Sequence, residues 1–305
     1  MGKIAFLFPG QGAQFVGMAR DLYEHYTEAR NLMDRAEEIL EFPLRTLCFQ
    51  GPEAELKQTR YTQPAIFVHS VMVNSLLAKR GLEPEAAAGH SLGEYSALVS
   101  AGVLSFEDAL RLVKIRGELM QSSGEKNPGT MAALIGATPE IAAAVCAEAA
   151  SAGIVQPANF NCPGQIVISG SINGVHRAME IAPRHGVRMA KELVVGGAFH
   201  SPLMEAALSG LTEALQEVNL QAGKIPVYSN VEAVPVTDPE KIRGLLQQQL
   251  LAPVKWENII RNMIEDGFEH FYEVGPGAVL KGLLRRIDRA KVCKSVGTVE
   301  ELTQL

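Results

Sequence analysis

A chain of 305 residues, 47% hydrophobic and 20% charged, can bury a large core as one big domain or two and has the composition of an ordinary globular protein, not a disordered one. Its formal net charge of −6 argues against a nucleic-acid binder, so an acidic partner would need a local basic patch. There is no run of about 18 uncharged apolar residues, no cleavable-signal pattern before the strand that starts at Lys3, and no Cys-x-x-Cys spacing among Cys48, Cys146, Cys162 and Cys293, so a cytoplasmic chain with no membrane contact, disulfide or metal is expected.

The run from Lys3 to Phe8 reads as a buried strand entering the loop Pro9-Gly10-Gln11-Gly12-Ala13-Gln14. Such a loop lies at a strand's carboxyl end, where α/β active sites collect. A dinucleotide loop is disfavoured, because Phe15 stands where the third glycine of Gly-x-Gly-x-x-Gly belongs. Helical patterns follow at Met18 to Tyr26, Ala29 to Leu40 and Gln63 to Arg80. Next comes a small apolar run, Ala86 to Ala88, then Gly89-His90-Ser91-Leu92-Gly93 and a helical pattern. Strand, Gly-x-Ser-x-Gly and helix make a nucleophile elbow presenting Ser91. The Leu92 N–H then lies at a helix N-terminus, placed to stabilise a developing oxyanion. Ser105-Phe106-Glu107-Asp108 has the form of a capping box opening a helix to about Met120.

From Glu125 shorter elements alternate. Strands at Thr130 to Ile135, Val155 to Ala158, Gln165 to Ser169 and Val187 to Leu193, with helices at Pro139 to Ala150 and Gly174 to Arg184, give the order β-α-β-β-α-β of a ferredoxin-like domain. Gly196-Gly197 reads as the return hinge. Helices at Pro202 to Val218, Glu240 to Leu250, Trp256 to Glu265 and Val279 to Ile287 follow, with strands at Pro226 to Ser229, Phe268 to Val274 and Val292 to Val296. The expected fold is a hydrolase-like α/β domain with a nucleophile elbow, residues 1–124 and 198–305, interrupted by a ferredoxin-like small domain at 125–197. A site between them would be a cleft.

A serine hydroxyl needs a base. Of seven histidines, His25 and His69 fall inside helices, and His176, His185 and His270 lie in polar, surface-like contexts. His90 adjoins Ser91 in the turn and would point elsewhere. His200, between the hinge and a helix, is the best candidate, in the Ser-then-His order of hydrolase-like sheets. No acidic residue announces itself as a third member, which leaves a backbone carbonyl to orient the ring. At about 100° per residue from Phe106, Arg116 falls amid Ala109, Leu112, Val113, Leu119 and Met120, opposite Glu107, Arg111, Lys114 and Glu118. A guanidinium on an apolar face needs an anion, either a protein carboxylate or a substrate carboxylate.

Several motifs in one order then carry a resemblance. They are Gly10-Gln11-Gly12-x-Gln14, Gly89-His90-Ser91-Leu92-Gly93-Glu94, Arg116-Gly117-x-Leu119-Met120, Asn159-x-Asn161-x-Pro163-Gly164-Gln165, Phe199-His200-Ser201 and Glu273-Val274-Gly275-Pro276-Gly277. Together, and nearly end to end, the chain resembles the malonyl-CoA:acyl-carrier-protein transacylases of bacterial fatty acid synthesis. The resemblance implies Ser91 as the acylated nucleophile, His200 as its base held by the Gln249 carbonyl, and the amides of Gln11 and Leu92 as the oxyanion hole. It implies Arg116 as the partner of the malonyl carboxylate, Phe199 as bulk that excludes an α-methyl group, and His90, Met120, Asn159 and Asn161 as further residues of the substrate site. It also implies malonyl-CoA and acyl carrier protein as partners, a monomer, and no cofactor beyond the coenzyme A thioester and the phosphopantetheine on the carrier. Ala13 and Cys162 replace serines common in the family, and neither carries a chemical step; Cys162 reads as an apolar filler. Basic residues at Lys281, Arg285, Arg286, Arg289 and Lys291, and at Arg184, Arg188 and Lys191, are candidate landing areas for the acidic carrier. A polyketide acyltransferase, a serine thioesterase or other hydrolase, and a non-catalytic binding protein are the rival readings.

Overall fold

Ten strands among the described residues follow in chain order: β1 (Lys3–Phe8), β2 (Ala86–Gly89), β3 (Gly129–Ile135), β4 (Val155–Cys162), β5 (Gln165–Ser171), β6 (Met189–Glu192), β7 (Val227–Tyr228), β8 (Pro235–Val236), β9 (Phe268–Val274) and β10 (Val292–Val296). In the computed structural model, which describes residues 2–305, they form two sheets. The first has the order β10-β9-β1-β2-β7-β8 and is parallel except at the β7–β8 edge. Alternate residues of β1 sort to its two faces. Phe6 and Phe8 join one buried cluster with the helices Thr59–Lys79, Gly93–Ser100 and Phe106–Lys126, while Ala5 and Leu7 join another with Trp256–Glu265 and Val279–Ile287. Burial on both faces is why the strand reads as an unbroken apolar run.

The second sheet, β4-β5-β3-β6, is antiparallel throughout and lies in sequence between β2 and β7. Its order is that of the expected ferredoxin-like arrangement. Ala132, Leu134, Ile166 and Ile168 pack under the helices Pro139–Ala149 and Ile172–Ile181. Met131, Ala133 and Val167 point the other way, into the core of the first sheet's helices. The mixed α/β fold expected from the sequence is therefore present.

The differences lie at boundaries. The Ser105-capped helix runs on to Lys126, because Ser123 and Gly124 are buried near its end and Ser123 Oγ donates to Leu203 O at 3.0 Å. Thr59–Lys79 starts one turn before the expected Gln63, with Pro64 inside it. Pro202 to Ala207 winds as a tighter 3₁₀ helix before Leu208–Glu217. The short helices Leu44–Gln50, Glu53–Leu56 and Val299–Thr303 and the two-residue β8 were not foreseen. Among the described residues, no helix is long and apolar enough to cross a membrane.

Candidate active site

Ser91 sits where β2 ends and the helix Gly93–Ser100 begins. A Cβ on Gly89 would lie 1.9 Å from the Gly93 carbonyl carbon, and one on Gly93 2.0 Å from Phe8 O, so only glycine permits the approach. Between them Ser91 adopts a left-handed φ of 51°, a conformation costing about 1 kcal/mol or more that its surroundings must hold in place. Asn230, fully buried just past β7, does part of this. Its Oδ1 accepts from Ser91 N–H at 2.7 Å and its Nδ2 donates to Gly89 O at 2.7 Å. Because β7 is the neighbour of β2, a side chain here continues the ladder after the backbone has turned away.

His200, also left-handed at φ 56°, reaches Ser91 from the segment after β6. Its Nε2 lies 2.8 Å from Ser91 Oγ, and its Nδ1 lies 2.8 Å from the backbone carbonyl of Gln249, the last residue of the helix Pro239–Gln249. A carbonyl only accepts, so Nδ1 carries the hydrogen and the Nε2 lone pair faces the serine hydroxyl. Burial, reinforced by the nearby Arg116 charge, lowers the His200 pKa to about 3, leaving a neutral ring at physiological pH.

Arg116 is 1% exposed, although it belongs to a helix with a solvated face. Its Nη1 donates to Gln63 Oε1 at 2.7 Å, and its Nη2 donates to Ser91 Oγ and to Gln249 Oε1, each at 3.0 Å. The Tyr95 ring lies 5.5 Å from its guanidinium carbon, and Nε has no partner among the described residues. Among the described residues no carboxylate lies within ion-pair distance. Of the two anions that could balance this charge, the protein does not supply one in direct contact.

Ser91, His200 and Arg116 open onto one cavity of about 120 Å³, also lined by Gln11, Leu92, His90, Met120, Asn159 and Phe199. The amides of Gln11 and Leu92 donate to no group of the chain among the described residues. They are brought together because β1 and β2 are neighbours, Phe8 standing opposite Gly89. Asn161 stands one step back, its Oδ1 2.8 Å from His90 Nε2, and so turns the histidine that the turn alone leaves undirected. Burial lowers the His90 pKa as well.

Sequence reasoning gave no part in the site to Gln63, Asn230, Glu94, Met131, Leu193 or Val195. Gln63 in an otherwise apolar helix was the available signal, being a buried polar group that requires a partner. Asn230 follows a strand of two residues, too short to show a pattern. Met131, at the start of β3, and Leu193 and Val195, just beyond β6, line the cavity; the Leu193 N–H donates to Met131 O at 2.9 Å, a pairing that composition does not reveal. Among the described residues, no group of three or more His, Cys, Asp or Glu stands close enough together to hold a metal.

A family model described as acyl transferase domain matches residues 5–304. The chain is 45% identical over 290 residues to the malonyl CoA-acyl carrier protein transacylase of Bacillus subtilis (strain 168), covering 95% of this chain and 92% of that protein. It superposes on the crystal structure of an acyl carrier protein S-malonyltransferase from Vibrio cholerae with a TM-score of 0.95 at 42% identity, covering 99% of each chain. It also superposes, with a TM-score of 0.96 at 38% identity and over 99% of this chain and 98% of the other, on a malonyl-transacylase in complex with its type II PKS acyl-carrier protein.

Proposed function

The chain belongs to the acyl transferase domain family, and we propose that it moves a malonyl group from malonyl-CoA to the phosphopantetheine thiol of an acyl carrier protein, supplying fatty acid synthesis. The observation that carries this reading is the buried guanidinium of Arg116, which has no carboxylate partner among the described residues and donates to the same hydroxyl, Ser91 Oγ, that His200 contacts. An acyl group ending in a carboxylate would complete the ion pair while its thioester carbon lies at the nucleophile.

In the first half-reaction Ser91 Oγ attacks the thioester carbonyl as His200 Nε2 takes the hydroxyl proton. The Gln249 carbonyl stabilises the resulting imidazolium through Nδ1–H. The tetrahedral oxyanion is held by the amides of Gln11 and Leu92. The C–S bond breaks, His200 returns its proton to the departing sulfur, and a malonyl-serine ester remains. The carrier's thiol gives its proton to the same imidazole and attacks the ester. The C–O bond then breaks and the proton returns to Ser91. Thioester is exchanged for thioester, so the equilibrium lies near unity. Phe199 and Met120 restrict the acyl group's width, and His90 and Asn159 line its path. We assign residues 125–197 to a small domain that covers the cleft and keeps water from the ester.

Intact-mass analysis tests the whole. Malonyl-CoA should add one malonyl group to the protein, absent in Ser91→Ala, and holo carrier protein should remove it and gain the same mass. Release of free malonate without an acceptor would make the chain a hydrolase. Transfer to a polyketide carrier in preference to a fatty acid carrier would reassign the pathway.

A further inference from the structure

The helix Gly93–Ser100 carries a buried charge that the mechanism above does not use. Glu94 is 4% exposed and has no cation within ion-pair distance among the described residues. Its Oε2 accepts from the Gln249 side-chain Nε2 at 2.7 Å and from the Asn230 N–H at 3.3 Å. The same Gln249 carboxamide passes its other end to the acyl site: Oε1 accepts from Arg116 Nη2, and Nε2 also donates to Ser91 O at 3.0 Å. A carboxylate only accepts, so it fixes which end of the carboxamide faces it. Nε2 must turn to Glu94, and Oε1 is then the end that meets the guanidinium. A carboxylate in direct contact with Arg116 would occupy the donors a substrate needs. Set one amide away, it balances the charge while leaving Nε and one Nη1 hydrogen of Arg116 without a partner among the described residues and its other donors on neutral acceptors that a substrate carboxylate can displace.

We propose that Glu94 is the internal counter-charge of the acyl-carboxylate site, holding the Gln249 carboxamide oxygen on Arg116 while the site is empty and taking a proton from solvent when a substrate carboxylate occupies the guanidinium. Two anions cannot share one desolvated cation cheaply, and the resident one is the group with a proton within reach. Burial already raises the Glu94 pKa to about 7, with the Gln249 and Asn230 hydrogen bonds and then the Arg116 charge opposing the rise. The other groups facing this network are Tyr95 on the same helix, whose pKa is raised by burial, and His200 and His90 across the elbow, both lowered by burial and neutral above pH 7. Glu94 is thus a positioning residue and the one group here poised to change charge near neutrality.

The inference rests on a substrate carboxylate meeting Arg116, and the test separates the two. In Ser91→Ala protein, which binds malonyl-CoA without turnover, calorimetry at pH 8 in two buffers of different ionisation enthalpy should show uptake of roughly half a proton or more per malonyl-CoA bound. Acetyl-CoA should show none. No uptake in that protein, or equal uptake once Glu94→Gln is added, overturns the inference, and the first of these needs no variant at Glu94 to fold. Gln at 94 can still accept from Gln249 Nε2 while lacking the charge. In the active enzyme Glu94→Gln should therefore lower KM for malonyl-CoA at pH 8 by roughly five-fold and flatten its pH dependence, with KM for acetyl-CoA unmoved. A KM raised at every pH overturns the proposal by showing a merely structural role. Adding Arg116→Ala to the Ser91→Ala protein should erase the preference for malonyl- over acetyl-CoA. A preference that survives it refutes the carboxylate reading itself, whereas a preference lost without proton uptake in the Arg116-intact protein refutes only the part given to Glu94.

Discussion

The two sheets contribute to the cavity in different currencies. The parallel sheet delivers donors, acceptors and charge: Gln11 follows β1, Ser91 follows β2, Asn230 follows β7, and the covering helices bring Gln63, Arg116 and Gln249. The antiparallel sheet and the residues between β6 and the Gly196-Gly197 hinge deliver mostly apolar surface, in Met131, Leu193 and Val195, with Asn159 as the polar exception, while His200 enters beyond that hinge. Carboxyl ends of parallel strands converge at one edge with unpaired amides and helix N-termini, which suits them to hold developing charge. A pleated antiparallel face offers alternate side chains as a wall, which suits it to exclude water and set size. Chemistry and selection are therefore separable by mutation.

The largest effects should come from the parallel-sheet side. Ser91→Ala should abolish the malonyl adduct seen by intact mass, and His200→Ala should slow its formation about 10³-fold, measured by single-turnover mass spectrometry. Arg116→Ala should reduce kcat/KM for malonyl-CoA by roughly 100-fold or more while changing acetyl transfer by less than about ten-fold, because only the former loses a buried ion pair. Equal losses would mean that Arg116 serves packing alone. On the antiparallel side, Leu193→Ala and Val195→Ala should move the malonyl to methylmalonyl preference by about ten-fold with an unaltered pH–rate profile. A changed profile would break the division just drawn.

Acid should act on stability before it acts on the base. His200 is lowered to about 3 and His69 to about 4, both chiefly by burial. Between the ordinary histidine value of 6.5 and those values the unfolded chain binds protons that the folded chain refuses, so stability falls as pH falls through that window. Melting temperatures taken from pH 7 to pH 4 should drop less steeply in His69→Gln than in the parent. The smallest effect is expected at the surface: Arg286→Glu should raise KM for carrier protein about three-fold without altering kcat. Arg286 also donates to Gln165 Oε1 at 2.5 Å, so its loss frees the β4–β5 turn as well.

How much of this the sequence disclosed follows from what kind of signal each part leaves. The elbow is local: glycine, serine and glycine at fixed spacing between a strand and a helix, and its strained serine is where that spacing puts it. Arg116 was legible because a cation on an apolar helical face violates the pattern around it. Glu94 left no such mark. An acid in the first turn of a helix is ordinary, and only the fold shows that the turn is buried beneath Gln249. Asn230 and Val195 reach the site through neighbours more than a hundred residues or a whole sheet away, and nothing local in a chain records such distances. The boundaries missed at Lys126 and Thr59 have the same origin, since Ser123, Gly124 and Thr59 are buried against segments far away in the chain.

Between Ala158 and Phe160 the antiparallel sheet is stitched to the rest of the protein by backbone. Val254 N–H donates to Ala158 O and Phe160 N–H donates to Val254 O, each at 2.9 Å, with Asn159 set opposite Val254. Asn159 is therefore held from two sides, by β5 and by the segment that follows Gln249, and its place in the cavity wall is fixed by backbone and not by side-chain packing.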